Sequence, residues 1–159
     1  KISAFARGAR RPNSQLVAAT DLFVFGTFRL YAGRDSYTLT EASVQNYFSW
    51  FRTHIEASLE GQYFCEVLEY CTRENNDEAQ LLLLLYQTLR ALESEKFPPR
   101  LVRSVFELNI ERSKIAKLYS FSLDEPAQKE LAELAGRCME FAFERHTFRS
   151  LEILEVMEV

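Results

Sequence analysis

Arg7, Arg10 and Arg11 place three guanidinium groups within five residues near the start of a 159-residue chain. A planar guanidinium can grip phosphate oxygens in bidentate fashion and stack on a base. Several together neutralise a polyanion and release its counterions. Lys1, Arg29 and Arg34 extend the same signal. Residues 1–40 carry six basic against two acidic residues, a net of +4, while the remainder carries thirteen basic and twenty-one acidic, a net of −8. A basic front on an acidic body points to an anionic partner at the front. On charge alone the stretch reads equally as a solvated basic loop.

Bond-making chemistry has little to stand on. The chain has no Gly-x-Ser-x-Gly, no phosphate-binding Gly-x-x-x-x-Gly-Lys loop and no His-Glu-x-x-His. His54 falls within a helical pattern and His146 near a helix end, so each reads as a packing or surface residue. Glu66 and Glu69, spaced i, i+3, read as a solvated face, because an acid/base dyad needs burial to separate its pKa values. Cys65, Cys71 and Cys138 are odd in number, and none forms a Cys-x-x-Cys pair. They read as reduced core cysteines in a reducing compartment, and no metal ligand is assigned. The longest apolar run, Leu81–Tyr86, is far short of a membrane span. The chain reads as a soluble protein with no enzymatic site and no cofactor.

The elements that position the cations change character along the chain. Ile2, Ala4 and Ala6 alternate with Ser3, Phe5 and Arg7, the period of a strand. Gly8 frees the backbone and Pro12-Asn13-Ser14 breaks it, so Arg10 and Arg11 fall in a loop. Leu16–Thr20 is a connector. Asp21–Gly33 alternates again, with Gly26 placed where a strand can bend. Gly33-Arg34-Asp35 is a turn, and Ser36–Ser43 a further strand. Residues 1–45 thus predict three strands and no helix. Three strands cannot close an OB-type barrel, which needs about five. The chain also starts in a strand and without Met, so one or two strands are expected upstream. Phe5, Phe23, Phe25 and Tyr31 lie among the arginines. Aromatic rings on a sheet face can stack bases, but most rings in a small barrel face inward. The cations alone are therefore taken as the site: Lys1, Arg7, Arg10, Arg11, Arg29 and Arg34.

From Val44 the period becomes helical. Phe48, Phe51, Ile55 and Leu59 form one face. Gly61 is expected to break that helix, and Tyr63, Phe64, Val67, Leu68 and Cys71 to form a second. Asp77 is placed to cap a third, Glu78–Glu93, whose Leu81–Leu85 run predicts burial on several sides. Pro99 starts the next helix. Asp124-Glu125-Pro126 starts another, with Leu131, Leu134, Cys138, Phe141, Ala142 and Arg145 on one stripe. Thr147 is placed to cap a last helix, with Phe148, Leu151, Leu154 and Met157 inward. A second basic cluster, Arg100, Arg103, Arg112, Lys114 and Lys117, lies inside this acidic region. Arg100 and Arg103 share a face by their spacing, and they read equally as ion pairs with nearby glutamates. The fold class is α+β: a partial OB-type β domain over residues 1–45, then an all-helical domain over 46–159.

Three stretches resemble one family. Ile2-Ser3-Ala4-Phe5-Ala6-Arg7-Gly8-Ala9-Arg10-Arg11-Pro12 is similar to the third-strand segment of the RecO family of bacterial recombination mediators. Leu101-Val102-Arg103-Ser104-Val105-Phe106-Glu107-Leu108 resembles that family's "arginine, then Phe-Glu-Leu" helix. Arg149-Ser150-Leu151-Glu152-Ile153-Leu154 resembles its C-terminal ending. The three occur in the family's order.

The resemblance implies an OB domain followed by helices, and a cytoplasmic, nucleoid-associated bacterial protein. It implies binding of single- and double-stranded DNA, strand annealing, and help for RecA in replacing single-stranded-DNA-binding protein (SSB), together with RecR. It also suggests that Arg100 and Arg103 receive the acidic SSB tail. The family commonly carries a four-cysteine zinc finger past the Arg103 helix. No cysteine or histidine cluster stands there, which marks Tyr119–Ser122 as a seam where a segment is lost or unseen. Two other classes stay open: a general OB-fold binder of single-stranded RNA or DNA, and a protein-interaction scaffold whose arginines serve protein contacts. Affinity for RNA against DNA separates the first, and the salt dependence of binding the second.

Overall fold

A computed structural model describes residues 1–9, 11, 14, 16–74, 76–111, 115, 118–144 and 146–157. The contacts divide the chain into two compact units, Lys1–Ser49 with a short segment from Arg73, and Trp50–Thr72 with Asn76–Val159. The arrangement is α+β, with a small sheet in the first unit and helices in the second.

The first unit holds β1 (Ala4–Phe5), β2 (Phe25–Ala32) and β3 (Tyr37–Asn46) in the order β1-β3-β2. β2 and β3 form an antiparallel hairpin, closed by a turn in which the Gly33 N–H donates to Ser36 O at 2.8 Å. β1 joins β3 in parallel, with Ala4 opposite Tyr37 and Phe5 opposite Thr38. With β3 between β1 and β2 and the β1–β3 pair parallel, the sheet is not a meander, and it fits a partial OB-type sheet. The connector before β2 contains one 3-10 turn, Ala18–Thr20, where the alternation predicted no helical residue.

The register slips twice, between Phe25 and Gly26 and between Arg29 and Leu30. Each slip bulges and bends the ladder. The first needs Gly26: a Cβ there would lie 2.3 Å from Ser43 O and 2.9 Å from Val44 Cα. The expected bend at Gly26 therefore has a steric origin in close backbone approach.

The second unit contains α1 (Ile55–Cys71), α2 (Ala79–Glu93), α3 (Pro99–Glu107), α4 (Glu125–Phe143) and α5 (Arg149–Met157). A 3-10 turn, Ser49–Arg52, takes the place of the helix expected from Phe48. Gly61 does not break the chain but lies buried inside α1. A mid-helix glycine costs only about 1 kcal/mol relative to alanine, which is small beside the burial of Tyr63, Phe64 and Val67 in the same helix. Tyr63, Phe64, Val67 and Leu68 of α1 are buried with Leu101, Val102, Val105 and Phe106 of α3. The Phe64 and Phe106 rings lie 4.5 Å apart.

Pro99 opens α3 as expected, and Asp124 caps α4 by accepting the Ala127 N–H at 3.1 Å. Asp77 accepts the Ala79 N–H at 3.1 Å, one residue before the cap position of α2. α5 is held from a distance: the Ser150 N–H and hydroxyl both donate to the Glu66 carboxylate, at 3.1 and 2.8 Å. Glu66 is thus a tertiary cap and not the solvated residue its spacing suggested. Two further expectations fail for one reason. Of Leu81–Leu85 only Leu84 is buried, and Leu134, Cys138, Phe141 and Ala142 of α4 are exposed. Hydrophobic periodicity marks an apolar face but does not say that the unit has an element to cover it. Met157 is likewise exposed where α5 was expected to turn it inward. Arg145 lies outside the described residues.

Candidate nucleic-acid interface

The two faces of the sheet differ in kind. Residues directly opposite one another in a ladder point to the same face. One face carries the Leu30–Leu39, Phe28–Ala42 and Ala32–Tyr37 pairs, with Leu39 buried. It is the apolar side. On the other face Phe5 stands opposite Thr38 from β1, and Tyr31 stands opposite Thr38 from β2. Phe5, Thr38 and Tyr31 form one cross-strand row. Phe5 is 62% exposed and Tyr31 67%. The two rings are separated by one strand, roughly 10 Å by the ordinary strand spacing. These are the residues that sequence reasoning passed over. Alternation places Phe5 on the face of Ser3 and Arg7, but it cannot say which face is covered.

The cations lie to either side of this row along the strands. Arg29 is two residues before Tyr31 on β2 and shares its face. Its guanidinium meets Glu41, its ladder partner, at 2.8 Å with both side chains largely exposed. Arg34 stands on the other side, exposed in the β2–β3 turn. With Ser3–Phe5 and Tyr37 it lines a shallow groove of about 430 Å³. β1 runs parallel to β3, so the chain leaves Phe5 in the direction of Glu41. There Arg7 and Arg11 are exposed on successive turns: the Ala9 N–H donates to Ala6 O at 3.2 Å and the Arg11 N–H to Gly8 O at 2.9 Å. Gly8 has φ +80°, the conformation its lack of a Cβ permits. Lys1 is exposed at the start of the chain. Arg10 lies outside the described residues.

The second basic cluster is organised differently. Glu60 is fully buried in α1, and the Arg103 Nε donates to both of its carboxylate oxygens at 3.1 Å, with a further bond from Nη2. The Arg103 side chain is 12% exposed. A buried carboxylate needs such a fork to remain charged. Arg103 therefore serves the core, and of the two residues on that face Arg100 alone is exposed. Arg112, Lys114 and Lys117 lie outside the described residues. Beside this pair the Tyr63 hydroxyl donates to Glu107 at 2.7 Å. Burial pushes the Glu107 carboxyl above its ordinary value, and burial with Glu107 alongside keeps the Tyr63 phenol protonated.

The histidines pack. His54 stacks on Trp50 at 3.9 Å, and His146 sits 4.3 Å from the Tyr70 ring. Burial raises the Cys65 thiol to about 11. Cys138 is exposed, where a core position was expected, because α4 turns that stripe outward. Among the described residues no group of three or more His, Cys, Asp or Glu is placed to hold a metal ion. No helix among them is long and apolar enough to cross a membrane. Near the expected seam the Tyr119 hydroxyl bonds Thr88 Oγ1 at 2.9 Å and donates to Val102 O at 3.2 Å.

Residues 1–48 match the family described as Recombination protein O N terminal, and residues 52–111 the one described as Recombination protein O C terminal. The chain is 35% identical over 111 residues to the DNA repair protein RecO of Acetivibrio thermocellus, a match covering 69% of this chain and 44% of that protein. It is 32% identical over 110 residues to the DNA repair protein RecO of Listeria welshimeri and 24% identical over 110 residues to that of Clostridium novyi, each match covering 69% of this chain and 43% of the relative. The chain thus spans less than half the length of the curated relatives it matches. No solved structure gives a significant match.

Proposed function

Since the chain belongs to the RecO family, we propose that it acts in DNA repair and recombination by binding DNA on the sheet face that carries Phe5 and Tyr31. The observation that carries this reading is the Phe5–Thr38–Tyr31 row, with both of its rings exposed and cations on either side of it. Two rings left in water cost free energy that a soluble surface usually avoids. They become useful when bases stack on them. The arginines hold the phosphates on both sides of the row and release counterions. Neither interaction reads base identity, so binding is independent of sequence.

In this reading the protein makes no bonds and calls on no cofactor. Binding two single strands without reading their bases leaves their pairing edges free, which promotes annealing. The helical unit receives protein partners: RecR, and the acidic SSB tail through Arg100, so that RecA replaces SSB on the strand. Arg103 supports that face from the core and does not contact the tail.

The test is fluorescence anisotropy of a labelled oligo-dT with the 159-residue chain. Phe5→Ala with Tyr31→Ala should weaken binding by about 1–3 kcal/mol for each stacked base, with little change in thermal stability, because both rings are exposed. Unchanged affinity in the double variant would remove the stacking face. Tighter binding of oligo-rU than of oligo-dT would turn the reading toward RNA.

A further inference from the structure

The outward stripe of α4 has a use that DNA binding does not supply. Leu134 and Phe141 are 44% and 89% exposed. They wall a groove of about 1000 Å³ that α1, α2 and the turn after α3 also line, through Tyr70, Leu81 and Leu108. The Tyr70 and Phe143 rings, 5.4 Å apart, tie α1 to α4 inside it. The family match ends at residue 111, so α4 lies beyond it.

The groove has a charge as well as a shape. Among the described residues Glu107 and Glu111 line it against one cation, Arg137. Glu111 and Glu78 both lie close enough to Cys71, another lining residue, to raise its thiol. Among the described lining residues carboxylates therefore outnumber cations two to one, with Glu78 adding negative charge near Cys71. A nucleic acid or an anionic lipid surface meets like charge there. A second copy fits poorly too, since exposed α4 carries Glu125, Glu130, Glu133 and Glu140 against Lys129 and Arg137. All the walls are helices or turns. Among the described lining residues no strand edge is present to pair with an extended segment, whose backbone N–H and C=O groups would lose water without gaining partners. A helix satisfies its own backbone and brings apolar anchors at i, i+3, i+4 and i+7.

We propose that this groove docks an amphipathic helix of a partner protein, one that carries lysine or arginine beside its apolar anchors. The anchors lie against Leu134, Phe141 and Leu108, and the cations reach Glu107 and Glu111.

Two labelled 18-residue probes of identical apolar pattern test this, one built from Leu and Lys and the other from Leu and Glu. Their anisotropy is titrated with the 159-residue chain. The Leu/Lys probe should saturate at one per chain and bind at least about tenfold tighter than the Leu/Glu probe. Leu134→Ser with Phe141→Ser should weaken it by about tenfold or more. Both residues are exposed, so circular dichroism should show the variant folded. Glu111→Lys should narrow or reverse the preference between probes. Equal binding of both probes, or a Leu/Lys affinity untouched by the serine pair, would overturn the proposal, the second result reducing it to loose surface attraction. Sedimentation supplies a further check: a dimer of the chain alone that the serine pair dissolves would assign the groove to a second copy instead.

Discussion

Arg29 and Glu41 face each other in the β2–β3 ladder, and their side chains meet at 2.8 Å on the face that carries Tyr31. Two exposed charges in water attract weakly, so the pair adds little to stability. Its effect is on the surface potential, since Glu41 competes with any phosphate for Arg29. Glu41→Gln should therefore tighten binding to oligo-dT and steepen the slope of log affinity against log salt by about 0.7, one further phosphate contact on a single strand. Arg7→Ala with Arg11→Ala should flatten the same slope by about 1.4. A slope indifferent to all three changes would place the phosphates elsewhere.

Gly26 touches backbone where a side chain would stand. A Cβ at 2.3 Å from Ser43 O cannot be relieved by turning a rotamer. Gly26→Ala should destabilise the chain by about 1–3 kcal/mol, the ordinary cost of overpacking. Urea titration reads this as a lower midpoint with an unchanged slope. An unaltered midpoint would mean that β2 and β3 do not approach so closely.

The Arg103–Glu60 pair predicts an asymmetry between single and double substitutions. Arg103→Ala takes the guanidinium fork away from a fully buried carboxylate and should cost about 3–5 kcal/mol. Replacing both residues, Glu60→Met with Arg103→Leu, removes both charges and should recover most of that loss. Thermal unfolding of the two variants decides. A double variant no more stable than the single one would show that the helices need the ion pair itself.

Glu107 makes stability depend on pH. Its folded carboxyl titrates above the ordinary value of 4.5, chiefly because it is buried, while the Tyr63 hydrogen bond and Arg103 act in the other direction. Through that window the folded chain keeps a proton that the unfolded chain has lost. Stability therefore falls as pH rises from 4.5 through the folded value, and the full contribution is present only below 4.5. Glu107→Gln still accepts from Tyr63 and cannot ionise, so it should remove this fall. Urea midpoints of both proteins across the range give the result. Parallel curves would mean that Glu107 titrates as an ordinary carboxyl.

Much of the local structure was legible from residue order. Asp124 announces its helix because its carboxylate caps an N–H three residues on, and Pro99 because its missing N–H is no loss at a helix start. The β2–β3 turn follows from Gly33-Arg34-Asp35, and the bend from Gly26. Such signals act over a few residues. Gly61 misled because a local helix-breaking tendency of about 1 kcal/mol is small beside the burial of the α1 face on which Tyr63, Phe64 and Val67 also lie. The cations were visible as a group, but not that Arg103 closes on Glu60 across 43 residues, nor that Glu41 holds Arg29.

By itself the sequence determined the strand-then-helix order, the basic front and acidic body, and the arginine-rich stretch on which the family likeness rests. These depend on composition, period and short-range chemistry. Tertiary structure alone decided which faces are covered. It put Phe5 and Tyr31 on either side of Thr38, turned Leu134 and Phe141 outward, and drew Arg103 into the core. The reason is that burial belongs to no residue. A face is hidden only when another element, distant in the chain, happens to lie against it, and no local period records that.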